Sequence, residues 1–158
     1  MEQKIRWKTL MYCVVGVLIT GMISGIATAD SISGWYAGLN KPVFNPPNWI
    51  FGPVWSLLYI LMGVSLYLIW IQGNTPRRRE ALYLFFIQLA LNFAWSFLFF
   101  YFQSPGWALL EIGVLWFFIS WMILTFWGVY PPAAYLQIPY FLWVGFASLL
   151  NASIWYLN

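Results

Sequence analysis

The chain has no histidine, a single cysteine and only four acidic residues among 158. Without histidine there is no His-ligated zinc, haem or non-haem iron, and no serine–histidine or cysteine–histidine nucleophile. Cys13 cannot close an internal disulfide and, inside an apolar run, reads as a small packing residue. Of the carboxylates, Glu2 and Glu80 stand beside basic clusters, Asp30 follows the first apolar run and Glu111 lies within a later one. That scatter leaves conventional hydrolytic and metal chemistry almost no groups to work with, and no metal or bound cofactor is expected. Charge of either sign is scarce: 7% of the residues carry one, against about 25% in a soluble domain. A surface this poor in charge belongs in lipid.

What the chain does have is apolar bulk, with 63% hydrophobic residues, 23% aromatic residues and twelve tryptophans. Charge-free stretches cover residues 9–29, 42–76, 81–110 and 112–158. A helical span needs roughly 20 apolar residues at about 1.5 Å each. The last stretch is too long for one span, and Pro131-Pro132 divides it. The expected fold is an all-α membrane protein, one domain over 1–158, with a five-helix transmembrane bundle at about 9–29, 50–72, 81–103, 106–129 and 133–157. A strand barrel would need segments that alternate apolar and polar residues. Phe97-Leu98-Phe99-Phe100 and Leu115-Trp116-Phe117-Phe118-Ile119 do not alternate. No internal repeat is visible, and an odd helix count argues against paired inverted halves.

Orientation follows from the basic residues. Lys4, Arg6 and Lys8 precede the first helix, and Arg77-Arg78-Arg79 lie between the second and third, so six of the seven fall on one side. The expected placement is a bacterial cytoplasmic membrane, with the N-terminus inside and the C-terminus outside. Anchoring at the inner leaflet accounts for the net charge of +3, and no nucleic-acid partner is expected. The N-terminus also resembles a cleaved signal, with Ala27-Thr28-Ala29 before Asp30. Its apolar run exceeds the usual 7–15 residues, and Gly21, Gly25 and Ala29 at four-residue spacing suit helix–helix approach, so a retained first helix is expected.

Between the first two helices stand Trp35-Tyr36-Ala37-Gly38-Leu39-Asn40-Lys41-Pro42, Asn45-Pro46-Pro47-Asn48-Trp49 and Gly52-Pro53-Val54-Trp55. Proline fixes φ and removes a donor, so this connection is stiff. Its Trp35, Lys41, Pro42, Pro46 and Pro47 suit a lid over a flat apolar ligand. Helical spacing sets Trp55, Tyr59 and Met62 on one face, Gln88, Asn92, Trp95 and Phe99 on another, and Trp143, Ala147 and Asn151 on a third. Amides in hydrocarbon need partners, so Gln88, Asn92 and Asn151 should face the interior, either as interhelical ties or around a cavity. Glu111, about 8 Å into the fourth helix, reads either as an intramembrane functional carboxylate or as a side chain favoured by the helix N-terminus. Several tryptophans sit near helix ends, as interfacial residues do; Trp55, Trp95, Trp116, Trp121 and Trp143 lie deeper, where indole faces suit a conjugated ring system.

These segments, together with Leu58-Tyr59, Met62-Gly63, Gln88 to Trp95, Gly106-Trp107-Ala108-Leu109, Pro139-Tyr140, Phe146-Ala147 and Leu150-Asn151, resemble the translocator protein family. Its bacterial members are called tryptophan-rich sensory proteins, and it is also known as the peripheral-type benzodiazepine receptor family. The resemblance implies a five-helix bundle, often a homodimer, with a ligand pocket under the loop joining the first two helices. It implies binding of porphyrins such as protoporphyrin IX and, in animal members, of cholesterol and synthetic isoquinoline or benzodiazepine ligands. Trp55 and Trp143 match the pocket tryptophans that some bacterial members are proposed to use in light-dependent porphyrin breakdown. Tyr59, Asn92, Trp95, Trp107, Ala147 and Leu150 match other pocket-lining positions. One departure is visible: Tyr156 has no Lys or Arg after it, so the sterol motif of animal members is incomplete. The expected function is tetrapyrrole binding as a sensor, scavenger or carrier. The alternatives are a light- and oxygen-dependent porphyrin-degrading enzyme, and a transporter of porphyrins or other lipophilic molecules with Glu111 as its one candidate coupling group.

Overall fold

The computed structural model describes residues 5–158, so the positions read above at Glu2 and Lys4 lie outside the described residues. Among those described there are helices and no strands: α1 Trp7–Ser33, α2 Trp35–Gly38, α3 Asn48–Trp70, α4 Pro76–Ser96, α5 Pro105–Trp127, α6 Pro131–Tyr135 and α7 Ile138–Leu157. A π-helical turn, Phe97–Tyr101, prolongs α4. Five spans, Trp7–Ser33, Asn48–Trp70, Pro76–Tyr101, Pro105–Trp127 and Pro131–Leu157, are long and apolar enough to cross a membrane. This is an all-α integral membrane protein.

Proline sets most of the helix starts. Pro76, Pro105 and Pro131 each open a helix, where the missing N–H costs nothing. Thr75 adds a cap, its hydroxyl accepting from the Arg78 amide at 3.1 Å. The third span therefore begins at Pro76, five residues before the sequence-based start at 81, because the cap and the proline outweigh the arginines as a boundary. The last span is not the single helix expected over 133–157. It breaks after Tyr135, since Pro139 has no N–H to give the Tyr135 carbonyl, and resumes as α7. Trp35, read as part of a loop, lies in the one-turn helix α2. At the other end of α4, the wide turn closes with the Phe102 amide on the Phe97 carbonyl at 2.8 Å. Gln103 follows at φ 50°, a left-handed residue that reverses the chain into α5.

The bundle packs α1 on α3, α4 on α5, and α5 on α7. Met62, Ile69, Phe85, Ile119, Met122, Phe126 and Tyr140 are wholly inaccessible at its centre. The short α6 is tied to α3 by the Ser65 hydroxyl, which donates to the Ala133 carbonyl at 2.8 Å. Lipid supplies no hydrophobic drive between helices, so close approach and polar ties matter more than in water. The closest backbone approach to α1 is not at the expected Gly21-Gly25-Ala29 stripe. A Cβ at Gly63 of α3 would lie 2.5 Å from the Val14 Cα, whereas a Cβ at Gly25 would meet nothing within 4 Å. Gly21 instead accommodates the ring of Tyr59. Helix α1 runs unbroken through Ala27-Thr28-Ala29.

The start of α1 and the end of α7 can both be placed from contacts. The Arg6 amide donates to the Tyr67 hydroxyl at 3.0 Å, which sets the start of α1 beside the end of α3 and hence beside Arg77–Arg79. Asn158 lies at the opposite end, against Asn40.

Gly63→Ala should lower the stability of the detergent-solubilised bundle by about 1–3 kcal/mol, the usual cost of overpacking. Gly16→Ala meets nothing within 4 Å and should be neutral or stabilising by up to about 1 kcal/mol. Thermal unfolding of the two variants side by side checks this, and equal midpoints would show that the α1–α3 contact gives way freely.

Candidate ligand cavity

A cavity of about 370 Å³ lies between α1, the first half of α3, the end of α4 with its π-helical turn, and the stretch of α7 from Trp143 to Ile154. Three of its walls are aromatic, because α3, α4 and α7 each turn toward it a face spaced at three and four residues. Trp55 and Tyr59 form one wall, ring centres 5.6 Å apart. Phe51 and Trp143 meet edge-on at 5.9 Å across α3 and α7, and Trp95 stacks on Phe99 at 5.3 Å. The π-helical turn matters here, since its extra residue brings both Phe99 and Phe100 into the lining. Helix α1 contributes the fourth wall, where the small groups Gly21, Ser24, Gly25 and Thr28 stand beside Leu18, Met22 and Ile32. Thr28 returns its hydroxyl to the Ser24 carbonyl at 2.8 Å, which removes its polarity from the cavity. Met22 and Gly25 of α1, and Gly52 and Ser56 of α3, line the cavity yet are exposed, so it reaches the outer surface of the bundle along these two helices.

Among the described residues, no charged one is in the lining. Its polar framework is held by amides. Below the cavity the Tyr59 hydroxyl donates to Asn92 Oδ1 at 2.6 Å, and Asn92 Nδ2 donates to the Tyr140 hydroxyl at 3.0 Å. To one side Trp95 Nε1 donates to Asn151 Oδ1 at 3.1 Å, and Asn151 Nδ2 to the Pro105 carbonyl at 2.8 Å. The Trp143 Nε1 atom is buried without a hydrogen-bond partner, a donor held in the wall.

The structure brings together Trp55, Tyr59, Trp95, Trp143, Ala147 and Leu150 in one lining. Asn92 stands behind Tyr59 rather than in the wall. Trp107 is not part of the cavity; it is 69% exposed on α5, on the outside of the bundle. Gln88, Asn92 and Asn151 are buried, as amides in hydrocarbon should be. Gln88 and Glu111 lie outside the lining, with their buried side-chain polar atoms unpaired. Sequence reasoning missed the polar pair Ser24 and Thr28, whose four-residue spacing in an apolar run was an available signal. It also missed Phe51 and Phe100, which look in the sequence like any other lipid-facing aromatic.

The α1–α3 connection is held by its own polar contacts. Lys41 Nζ donates to the carbonyls of Ala37 and Leu39, both at 3.1 Å, and lies 4.9 Å from the Tyr36 ring centre. The Tyr36 hydroxyl donates to Asn45 Oδ1 at 2.9 Å. Burial raises this phenol above its ordinary value, offset in part by that hydrogen bond, so it stays a donor at neutral pH. Trp35 packs edge-on against Phe99 at 5.8 Å. Pro42 and Pro46 accept backbone and side-chain bonds from Asn45, and Pro47 precedes α3. None of the expected lid residues Trp35, Lys41, Pro42, Pro46 and Pro47 touches the cavity; Tyr36 is what the connection contributes to the lining, beside Asn48 at the start of α3. The connection is joined to the end of α7 by reciprocal bonds: the Asn40 amide donates to Asn158 Oδ1, and Asn158 Nδ2 to the Asn40 carbonyl, each at 3.0 Å.

Comparison with known proteins matches residues 13–157 to the model of the TspO/MBR family. The chain is 44% identical over 153 residues to the tryptophan-rich protein TspO of Archaeoglobus fulgidus, covering 94% of this chain and 96% of that one. It is 41% identical over 123 residues to the human translocator protein, covering 77% and 73%. It is 34% identical over 131 residues to the protein CrtK of Rhodobacter capsulatus, covering 81% of each.

Replacing Asn158 with Ala removes the acceptor of the Asn40 amide and should raise hydrogen exchange of the backbone over 39–45, while the protected cores of α3 and α5 stay unchanged. Exchange followed by mass spectrometry reads this directly. Unaltered protection at Asn40 would mean that the contact holds nothing.

Proposed function

The chain belongs to the TspO/MBR family, and from that premise we propose that it is a membrane tetrapyrrole-binding protein that takes a porphyrin such as protoporphyrin IX into the bundle. The observation behind this reading is an uncharged cavity walled by Trp55, Tyr59, Trp95 and Trp143. Its volume is within the roughly 300–1,000 Å³ of small-molecule sites, and indole faces favour a flat conjugated ring. With no cation in the lining, a buried carboxylate would be unpaired and costly. The macrocycle therefore enters first and its acidic side chains stay at the rim, near exposed Asn48 and Ser56. The α1–α3 connection, with Trp35, Lys41 and its prolines, acts as a stiff cover from which Tyr36 reaches the ligand. The same apolar cavity suits synthetic isoquinoline or benzodiazepine ligands. The protein works as a sensor, scavenger or carrier, as a homodimer, with its N-terminus in the cytoplasm.

One observation favours a second reading, light-driven porphyrin degradation. Trp55 and Trp143 share the cavity, and both offer an oxidisable indole to an excited ring while dissolved oxygen serves as oxidant. Nothing comparable favours proton-coupled transport, for Glu111 is outside the lining.

Illumination of the purified protein with protoporphyrin separates the two. A new pigment absent from the dark control marks the enzyme; quenching of tryptophan fluorescence without product marks the binder. In the double variant Trp55→Phe, Trp143→Phe, binding should weaken by less than about tenfold, since only about 1 kcal/mol of contact changes. Any light-driven turnover should fall far more. Failure of the wild-type protein to bind protoporphyrin at all would sink both readings.

Orientation is tested separately. A reporter fused after Asn158 should be active only outside the cytoplasm. Cytoplasmic activity there would reverse the assignment from the basic residues.

A further inference from the structure

The three arginines at the start of α4 are put to different uses. Arg78 donates from Nε to the Ile69 carbonyl at 3.2 Å and from a terminal nitrogen to the Trp70 carbonyl at 2.6 Å, closing the end of α3. Arg77 lays its guanidinium on Gly128, where any Cβ would overlap it. Arg79 does neither. With Glu80 it borders a groove on the outside of the bundle, between α4 and α5 and remote from the ligand cavity.

The groove has the proportions of half a lipid bilayer. Along α4 it runs from Pro76 to Ile87, eleven helical steps or about 16 Å, close to half of a hydrocarbon core about 30 Å thick. Its charged groups are all at the helix start, at the membrane interface. The deeper part is Tyr83, Leu84 and Ile87 on one side and Phe118 with Trp121 on the other. Phe118 and Trp121 stack at 6.2 Å with their planes 19° apart, giving a smooth aromatic wall for an acyl chain. Neighbours in sequence are turned about 100° from each other on a helix, so Arg79 and Glu80 flank the groove rather than face one another.

We propose that this groove binds a phospholipid whose headgroup carries both a phosphate and a primary ammonium, as phosphatidylethanolamine does. Arg79 takes the phosphate with its planar fork of donors, and Glu80 accepts from the ammonium. One acyl chain follows Tyr83 and Ile87 down the aromatic wall. The paired opposite charges decide the headgroup: a purely anionic lipid meets repulsion from Glu80, and a quaternary ammonium has no N–H to give it.

Native mass spectrometry of the full chain, offered equal amounts of phosphatidylethanolamine, phosphatidylglycerol and phosphatidylcholine with identical acyl chains, tests this. The wild-type protein should retain the ethanolamine lipid at least about threefold over either competitor. Glu80→Gln should abolish that preference, and Arg79→Gln should lower retention of all three; Arg79→Lys should restore part of it. Both positions are at the helix start on the surface, and unchanged thermal midpoints confirm that the variants are folded. Equal retention of the three lipids by the wild-type protein overturns the proposal, as does a preference for phosphatidylglycerol or a pattern that neither substitution changes. A disulfide-linked dimer formed efficiently by Tyr83→Cys in a Cys13→Ser background would show the groove to be covered by a second copy, and would overturn it too.

Discussion

The carboxamide of Asn92 is the tie on which the ligand cavity depends. It accepts from Tyr59 on α3 and donates to Tyr140 on α7, so three helices meet at one buried group. In lipid the alternative to such a bond is an unsatisfied polar atom, and no water is at hand to replace it. The geometry is correspondingly tight, with the Tyr59 contact at 2.6 Å. Asn151 repeats the arrangement on the other flank, linking Trp95 of α4 to the start of α5. These two amides hold the aromatic walls at fixed separation. The walls can then stand around an open space that simple apolar packing would tend to fill.

The division of labour among the helices follows from residue size. Helix α1 carries glycine, serine and threonine toward the cavity, while α3, α4 and α7 carry rings. Gly21 makes room for Tyr59, and Gly63 lets α1 come close to α3 near its first half. Helix α1 is also the least buried of the long helices, with only Val17, Ser24 and Thr28 buried. The cavity wall it forms is thus the one with the fewest interior contacts to lose. At the Asn158 end of the molecule, side-chain bonds from Lys41, Tyr36 and Asn158 add to the apolar packing of Trp35, Tyr36 and Leu39 against the bundle.

Much of this was legible in the residues. The five spans followed from charge-free length, because a bilayer demands length and apolarity whatever the detailed packing. The faces of Trp55 and Tyr59, of Asn92 and Trp95, and of Trp143 and Ala147 followed from helical spacing. Trp107 shows the limit of a match by motif: it lies where the resemblance points in the sequence, yet its side chain is on the outside of α5. Trp35 and the prolines of the connection are absent from the cavity lining, and Tyr36 makes the contact. Along an irregular segment no period predicts which neighbour points inward.

By itself the sequence determined that the chain is helical and membrane-spanning, that Pro131-Pro132 divides its last apolar stretch, and which amides must turn inward. Those outcomes rest on local chemistry: the missing N–H of proline, the cost of charge in hydrocarbon, the 3.6-residue period. Only the tertiary structure decided that Asn92 ties two tyrosines behind the cavity wall, that a π-helical turn adds Phe100 to the lining, that Gly63 rather than Gly25 receives the neighbouring helix, and that of three adjacent arginines one borders a lipid-facing groove. Each depends on the rotation and depth of one helix against another. No single helix carries that information, because lipid and protein interior are equally apolar to a side chain choosing between them.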